Sequence, residues 1–239
     1  MSRFRLVRAR RPVSRPVRRP PTRAIWLLGA GLALLGIVAW IVFGTSVLGV
    51  REVAVNGATI VDEGQVRSAA AVPLGTPLAR VDTGAVAARV GRLAPVASAE
   101  VSRSWPGTLV IHVIERVPAV AVATPAGFVL LDAGGVAFRT VAVSPPGLVA
   151  LKVTAPGPSD PSTVAALHVL AALSPQLRAQ LTAVSAVSPT AIRLELTGGR
   201  VVIWGGADQS DVKARVATAL LGRPGKTIDV SAPEVATTA

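Results

Sequence analysis

Two histidines and three lysines are among the side chains with which this cysteine-free chain could perform acid–base or nucleophilic chemistry. His112 and His168 are separated by 55 residues, and neither has an Asp or Glu nearby at a spacing typical of metal ligands. No motif pairs a serine with a histidine, or with Lys152, Lys213 or Lys226. The residues therefore predict a protein that is not an enzyme and that holds neither a metal ion nor another cofactor.

Two glycine pairs could suggest a phosphate-binding loop. Gly134-Gly135 and Gly205-Gly206 lack the spacing of such loops and the Lys-Ser or Lys-Thr that follows them. We interpret both pairs as turns and predict no small-molecule substrate.

Residues 24–50 form the longest uncharged stretch of the chain, and they precede the segments in which folded domains are predicted below. A hydrocarbon core of about 30 Å needs roughly 20 apolar residues in a helix. We therefore predict a transmembrane helix over residues 24–48, through which the chain contacts the lipid bilayer. A secretory signal cleaved near Thr45 or Ser46 is the alternative, although such signals have an apolar stretch of only about 7 to 15 residues.

Residues 1–23 form an arm with nine arginines and no acidic residue. Positive charge beside a membrane span favours the cytoplasmic side, so the arm is predicted to lie in the cytoplasm. It could contact anionic headgroups or a specific cytoplasmic partner. The rest of the chain has sixteen basic and thirteen acidic side chains. That near balance weighs against nucleic-acid binding, which needs a basic stripe on a folded face.

Residues 49–118 predict a small domain in the order strand, helix, helix, strand, strand. Asp62 is a candidate helix N-cap, with Gln65 three residues later. Asp82 can cap a second helix, in which Val86 and Val90 recur at helical spacing. We expect both helices to cover one face of a three-stranded sheet.

The two later strands of this domain flank Trp105-Pro106-Gly107. A slip of one residue would turn the apolar side chains towards water, so the pattern determines the register. A three-residue loop places Val101 opposite Ile111, and Ala99 opposite Val113, on one face. It places Glu100 opposite His112 on the other.

Residues 119–233 predict a second, mainly antiparallel domain, followed by a short tail at 234–239. FVLLD and VAFRTV form a candidate hairpin around Gly134-Gly135. Asp160 followed by Pro161, and Ser174 followed by Pro175, are start signals for two helices. A further helix is expected from about Ser210 to Leu221.

A hairpin with a two-residue loop is predicted from IRLELT, Gly198-Gly199 and RVVIW. A type I′ turn would pair Leu196 with Val201, and Leu194 with Ile203, on a buried face. Arg193 would then stand opposite Trp204 on the outer face. That pair is either a cation–π contact or part of a partner-binding surface.

The order of these elements, together with VREVAVNGATIVDEGQV and SRSWPGTLVIHVIER, resembles the polypeptide-transport-associated (POTRA) domain of the FtsQ/DivIB cell-division family. The ending is also similar, with a strand that ends in glycine, a helix bearing Lys213, and a final strand that begins Ile228-Asp229-Val230. The resemblance implies an α+β protein: one transmembrane helix, a βααββ POTRA domain, and a second domain of the family's β type.

The resemblance implies a non-enzymatic scaffold that crosses the inner membrane once. The amino end would be cytoplasmic, and the exported domains would be concentrated at the division septum. Members of the family join FtsB and FtsL, small coiled-coil division proteins, and link them to septal peptidoglycan synthesis. The alternative is a membrane-anchored envelope protein whose POTRA domain is a chaperone-like or transport-associated binding module.

In this family a late edge strand of the second domain accepts a segment of the partner. The matching candidates here are Thr227, Ile228, Asp229, Val230, Ser231 and Ala232. An edge strand has unpaired backbone groups to which an extended peptide can add. Alternatively, Ile228 and Val230 are simply core-facing residues of a final strand. Pro233 lacks a backbone donor, and Ala232 offers no aromatic anchor.

Overall fold

The computed structural model describes residues 22–238, so most of the arginine-rich arm lies outside the described residues. Helix α1 comprises Thr22–Gly44, and a 3₁₀ turn at Ser46–Leu48 follows it. Trp26–Gly44 is long and apolar enough to cross a membrane, with its side chains unburied. The helix thus ends four residues before the end of the predicted membrane segment.

The first domain has the predicted order of elements. These are β1 (Glu52–Asn56), α2 (Glu63–Ala70), α3 (Thr83–Val90), β2 (Val96–Ser104) and β3 (Thr108–Glu115). The sheet order is β1-β3-β2, with β1 parallel and β2 antiparallel to the central strand β3. The expected βααββ arrangement is confirmed.

The predicted caps of the two helices are present. Asp62 Oδ1 accepts a hydrogen bond from the backbone N–H of Gln65 at 3.0 Å, and Asp82 Oδ1 accepts one from that of Ala85 at 2.9 Å. The buried faces of both helices meet the strands in one apolar cluster. Its members include Val66, Ala70, Val86, Val90, Leu109, Ile111 and Val113. Both helices therefore cover the same face of the sheet.

The predicted register of the β2–β3 hairpin is confirmed. Val101 lies opposite Ile111, Ala99 opposite Val113, and Glu100 opposite His112. Ile111 and Val113 are buried, whereas Glu100 and His112 are exposed. The apolar phase of the two strands and the length of their loop were sufficient to determine this pairing.

The second domain is larger. Its elements are β4 (Val120–Thr124), β5 (Gly127–Leu131), β6 (Ala137–Val141), β7 (Val149–Lys152), α4 (Pro161–Ala172), α5 (Pro175–Gln180), β8 (Leu181–Ala186), β9 (Ile192–Leu196), β10 (Val201–Gly205), α6 (Ser210–Leu220), β11 (Thr227–Asp229) and β12 (Thr237–Thr238). The strands form one sheet in the order β12-β11-β10-β9-β8-β7-β4-β5-β6. The β10–β11, β7–β8 and β4–β7 pairs are parallel, and the other neighbours are antiparallel. The sheet is therefore mixed and mainly antiparallel, as predicted.

The three helices of this domain contribute to one apolar cluster with the sheet. Val169, Leu177 and Ala217 supply fully buried side chains from α4, α5 and α6. The start signals are also confirmed: Asp160 Oδ2 accepts a hydrogen bond from the N–H of Thr163, and Ser174 Oγ accepts one from that of Leu177. Hydrogen bonds from the hydroxyl and then the backbone of Thr163 lower the pKa of Asp160.

The predicted register of the β9–β10 hairpin is wrong by one residue. Leu196 N–H donates to the carbonyl of Arg200, which leaves a three-residue loop. Leu194 consequently lies opposite Val202 rather than Ile203. Both sets of alternate residues in RVVIW contain apolar side chains, so the sequence pattern does not indicate which face of the strand is buried. The structure buries Trp204, its largest side chain.

A charged contact joins the two domains. The Arg116 guanidinium donates to Asp132 Oδ2, and both side chains are largely buried, with 20% and 14% exposed. Arg116 Nε also donates to the carbonyl of Ala94 at 3.1 Å. The side chain therefore bridges the α3–β2 turn of the first domain and the β5–β6 turn of the second.

Candidate partner-binding edge

The proposed docking strand is shorter in the structure than in the prediction. Strand β11 comprises Thr227–Asp229, next to β10 in parallel register, and Val230 N–H still donates to the carbonyl of Ile203 at 3.0 Å. Asp229 Oδ1 then accepts hydrogen bonds from the N–H and hydroxyl of Ser231, at 2.9 and 2.7 Å. This turn ends the strand, so Ser231 and Ala232 lie beyond it.

The side chains of β11 alternate between core and surface. Ile228 and Val230 are fully buried in the main apolar cluster, whereas Thr227 and Asp229 are half-buried. The core-facing interpretation of the two apolar residues is therefore confirmed. It leaves backbone groups, together with the Thr227 and Asp229 side chains, as the surface available to a partner.

The expectation that β11 is the edge of the sheet is wrong for the isolated chain. After a 3₁₀ turn at Pro233–Val235, the chain returns as the two-residue strand β12. Thr237 and Thr238 lie antiparallel to Asp229 and Ile228. An edge strand presents unpaired backbone groups to which another chain can add. The segment that follows β11 supplies the pairing, and no sequence pattern in TT indicates this.

The far end of β10 is fixed close to the end of β11. Gly205 has φ +74°, and a Cβ there would lie 3.0 Å from Ser231 Cβ, so a larger residue would be strained in its backbone and crowded against Ser231. Lys213 of α6 is fully buried, and its Nζ donates to the carbonyl of Gly206 at 3.0 Å. Asp208 Oδ2 lies 3.5 Å from the same nitrogen. Helix α6 is thus fixed to the loop that leads into it, which keeps β10 and β11 in place.

The two weaker partner-surface candidates do not form a pair. Trp204 is fully buried, and its Nε1 donates to Ser210 Oγ at 3.3 Å. Arg193 is exposed and lies opposite Ile203. The predicted cation–π contact between them is wrong because the shifted hairpin places the two side chains on opposite faces. Trp204 belongs to the core rather than to any surface.

A groove runs beside this end of the sheet, between α4 and α6. Small side chains line it, among them Ala172, Ala214 and Ala219, with Asp211 and Arg215 at its rim. Its two adjoining parts have volumes of about 460 and 510 Å³. Small residues on both helices leave room for side chains of another protein.

The opposite edge of the sheet is different. Strand β6 has five residues and pairs with β5 on one side. Arg139 and Thr140 are exposed there. Charged residues on an edge strand are a common protection against unwanted pairing. The sheet therefore has one longer edge at β6 and one short edge at β12.

The polar residues of the described part of the chain do not form a metal centre. Among residues 22–238, no group of three His, Cys, Asp or Glu side chains lies close enough together to hold a metal ion. His168 lies in the α4–α6 groove, and His112 lies on the sheet of the other domain. The structure does not bring the two histidines together.

Two family models match the chain. The model described as "POTRA domain, FtsQ-type" matches residues 48–116, and "Cell division protein FtsQ/DivIB, C-terminal" matches residues 120–231. The first corresponds to the three-stranded domain. The second covers the nine-stranded sheet as far as the turn after β11.

Curated relatives agree with this assignment. The chain is 44% identical to "Cell division protein FtsQ" of Mycobacterium leprae over 87% of its own length and 59% of that protein's. It is 40% identical to the protein of that name from Streptomyces bingchenggensis over 92% of its own length and 87% of the relative's. It therefore spans well under two thirds of the Mycobacterium leprae protein and most of the Streptomyces one.

Both domains match models of one family, and relatives above 30% identity align over most of their length. With one apolar helix ahead of those domains in the described residues, the chain has the features of a single-pass membrane protein. This chain belongs to the FtsQ/DivIB family of cell-division proteins.

Proposed function

We propose that this chain is a non-enzymatic scaffold of the divisome that links FtsB- and FtsL-type partners to septal peptidoglycan synthesis. The observation that carries the proposal is the family match across both domains. It is supported by an apolar helix directly before them and an arm with nine arginines. The arm would lie in the cytoplasm, and the two domains would lie outside, at the division septum.

We propose β11 as the strand to which a partner segment adds. Its inner edge is paired with β10, and its apolar side chains are buried, so the strand is a rigid template. A segment added on its outer side would be bound mainly through backbone hydrogen bonds. Thr227 and Asp229, whose side chains are half-buried, would determine which side chains fit beside them.

Strand addition at β11 requires β12 to move. Among residues 22–238, only Thr237 and Thr238 of β12 pair with the outer side of β11. Each backbone hydrogen bond contributes a net ~0.5–1.5 kcal/mol, so a longer partner strand would outcompete so short a segment. The chain's own residues would therefore cover the edge until a partner takes their place.

The α4–α6 groove would add affinity to a short strand contact. Three to four residues of strand give a modest free energy at ~0.5–1.5 kcal/mol per hydrogen bond. A partner helix placed against Ala172 and Ala219 would bury apolar surface next to the strand. A helix followed by an extended segment is therefore the shape of partner that this end of the molecule fits.

A crosslinking scan would test the docking strand. Since the chain has no cysteine, single cysteines can be introduced without background in full-length protein in nanodiscs with an FtsB-type partner. Crosslinks are expected at Thr227 and Asp229, and not at the buried control Ile228. Crosslinks confined to Arg139 on β6 would show that the partner uses the other edge.

A proline variant would test displacement. Thr237→Pro removes a backbone donor from β12 and should raise partner affinity by up to about tenfold, since freeing one or two hydrogen bonds is worth ~1–1.5 kcal/mol. Val143→Pro, at an exposed loop position, is the control. Unchanged or weaker binding by Thr237→Pro would contradict the displacement step.

Localisation would test the cellular role. A fluorescent fusion should concentrate at midcell, and depletion should produce filaments or septation defects. A transport-associated module would instead leave division intact on depletion.

A further inference from the structure

We propose that the first domain rests on the outer leaflet of the bilayer, with Trp105 and Leu74 inserted at the lipid headgroup level. The inference rests on the proposed orientation of α1, with the arm in the cytoplasm, and it does not depend on which proteins bind the second domain.

Trp105 and Leu74 belong to the same end of the domain. The carbonyl of Gly107, in the loop that bears Trp105, accepts hydrogen bonds from the N–H groups of Arg51 and Glu52. The N–H of Gly75, next to Leu74, donates to the carbonyl of Val50 at 2.8 Å. Both loops therefore flank the segment by which the chain enters the domain.

This end faces the membrane because the connection to α1 is short. The helix ends at Gly44, and six residue steps lead to Val50. Six steps span at most about 20 Å when extended. The 3₁₀ turn at Ser46–Leu48 shortens that reach. The interfacial layer on each side of a bilayer is about 5–7 Å thick, so this end lies at or next to the headgroups.

The strands confirm the polarity of the domain. β1 and β3 are parallel and begin side by side at this end, where Glu52 lies opposite Thr108. Strand β2 ends here, because Ser104 lies opposite Thr108. The other end carries Val117 and the junction to the second domain, about 25 Å away along an eight-residue strand.

The exposed side chains at this end match an interfacial environment. Trp105 is 51% exposed and Leu74 is 70% exposed, although both are large apolar residues on a folded domain. Tryptophan is enriched at membrane interfaces because its ring is apolar and its N–H can still meet water. Arg51 and Arg80 are exposed on the same end and suit anionic headgroups, with Glu52 as the opposing charge nearby.

Depth-dependent quenching of tryptophan fluorescence would test this contact. The chain has four tryptophans. Trp26→Phe and Trp40→Phe would remove the signals from α1, while the fully buried Trp204 provides a constant background. The full-length protein would be placed in nanodiscs of anionic lipid that carries a nitroxide at headgroup level or deep in the acyl chain. Trp105→Phe in the same background identifies the Trp105 component.

The headgroup-level nitroxide should reduce Trp105 emission by about twofold, and the deep nitroxide should reduce it less, because interfacial tryptophans sit at headgroup depth. Leu74→Ser should weaken this quenching. The matched control carries Trp105→Phe with Val117→Trp, which places the only new tryptophan at the far end, and it should be unquenched.

Three results would overturn the proposal. The first is Trp105 emission that neither nitroxide changes. The second is equal quenching of Trp105 and of the Val117→Trp control, which would indicate a domain without fixed orientation. The third is shielding of Trp105 that occurs only when a partner protein is added, which would make this end a protein-binding surface.

Discussion

The two folded domains hold a loop near the end of a strand by different means. In the first domain, the Glu115 carboxylate accepts hydrogen bonds from the hydroxyl of Thr59 and from the N–H groups of Thr59, Ile60 and Val61. In the second, the loop after β10 is held from beneath by the fully buried Trp204 and Lys213. The first arrangement depends on a charge near the surface, and the second depends on packing.

This difference follows from how much apolar surface each domain can bury. The small three-stranded domain has one modest core, so a carboxylate that satisfies several backbone donors adds stability that packing cannot. The larger domain buries an aromatic residue and the stem of a lysine under α6. The first domain should therefore respond to acid, and the second to changes in side-chain volume.

The largest expected effect is that of Trp204→Ala. Removing a fully buried tryptophan typically costs about 3–5 kcal/mol. The free energy of unfolding of the second domain should fall by that amount, measured by hydrogen exchange across β9 and β10 in full-length protein under increasing denaturant. Trp105→Ala is the matched control and should change that free energy by no more than about 0.5 kcal/mol. Similar losses for both would contradict the buried role of Trp204.

Lys213→Met should have an intermediate effect. Methionine keeps the apolar stem but leaves the carbonyl of Gly206 without its donor, which costs about 1–3 kcal/mol. The same exchange measurement over the loop and α6 should show the loss, whereas Lys226→Met, at an exposed position, should not. A stability gain in Lys213→Met would mean that desolvation of the ammonium group outweighs its hydrogen bond.

The smallest effect at neutral pH should come from Glu115→Gln in the first domain. Burial is the largest influence on this carboxyl and raises its pKa, but the four hydrogen bonds from residues 59–61 together lower that pKa from 4.5 to about 2. Discounted for solvent screening at a half-exposed group, the loss of unfolding free energy should be on the order of 1 kcal/mol.

The pH dependence gives a sharper test of the same contact. Because folding depresses the pKa of Glu115, its contribution is complete above about 4.5 and is lost as pH falls through about 2. Exchange protection of residues 59–61 in the wild type should fall across that interval, and in Glu115→Gln it should be flatter. Glu100→Gln, at an exposed position on β2, should retain the wild-type profile. An identical profile in Glu115→Gln would show that Glu115 does not hold the loop.

Much of the fold could be predicted because its signals are local. Asp62 and Asp82 precede their helices by one residue, and their carboxylates reach donors within the first turn. The β2–β3 register could be predicted because Val101 lies between the polar residues Glu100 and Ser102, and the polar His112 lies between Ile111 and Val113. In β10 four consecutive residues, Val201 to Trp204, are apolar. The alternation that determined the register of the β2–β3 hairpin is therefore absent from the β9–β10 hairpin.

The candidate edge was predicted less well. The core-facing interpretation of Ile228 and Val230 is confirmed, but β12 rather than β11 is the final strand. The burial of these two side chains does not indicate which segment pairs with the outer side of β11. That side is covered by Thr237 and Thr238, and two threonines carry no pattern from which a strand could be predicted.

The sequence by itself determined the apolar helix that is long enough to cross a membrane, the order of elements, the helix starts and one hairpin register, because each depends on neighbours within a few residues. Only the tertiary structure decided which face of β10 is buried, that Lys213 lies inside the core, and that β12 covers β11. These depend on contacts between segments that are distant in the chain, where free energies of packing and backbone pairing, rather than local pattern, select among the possible arrangements.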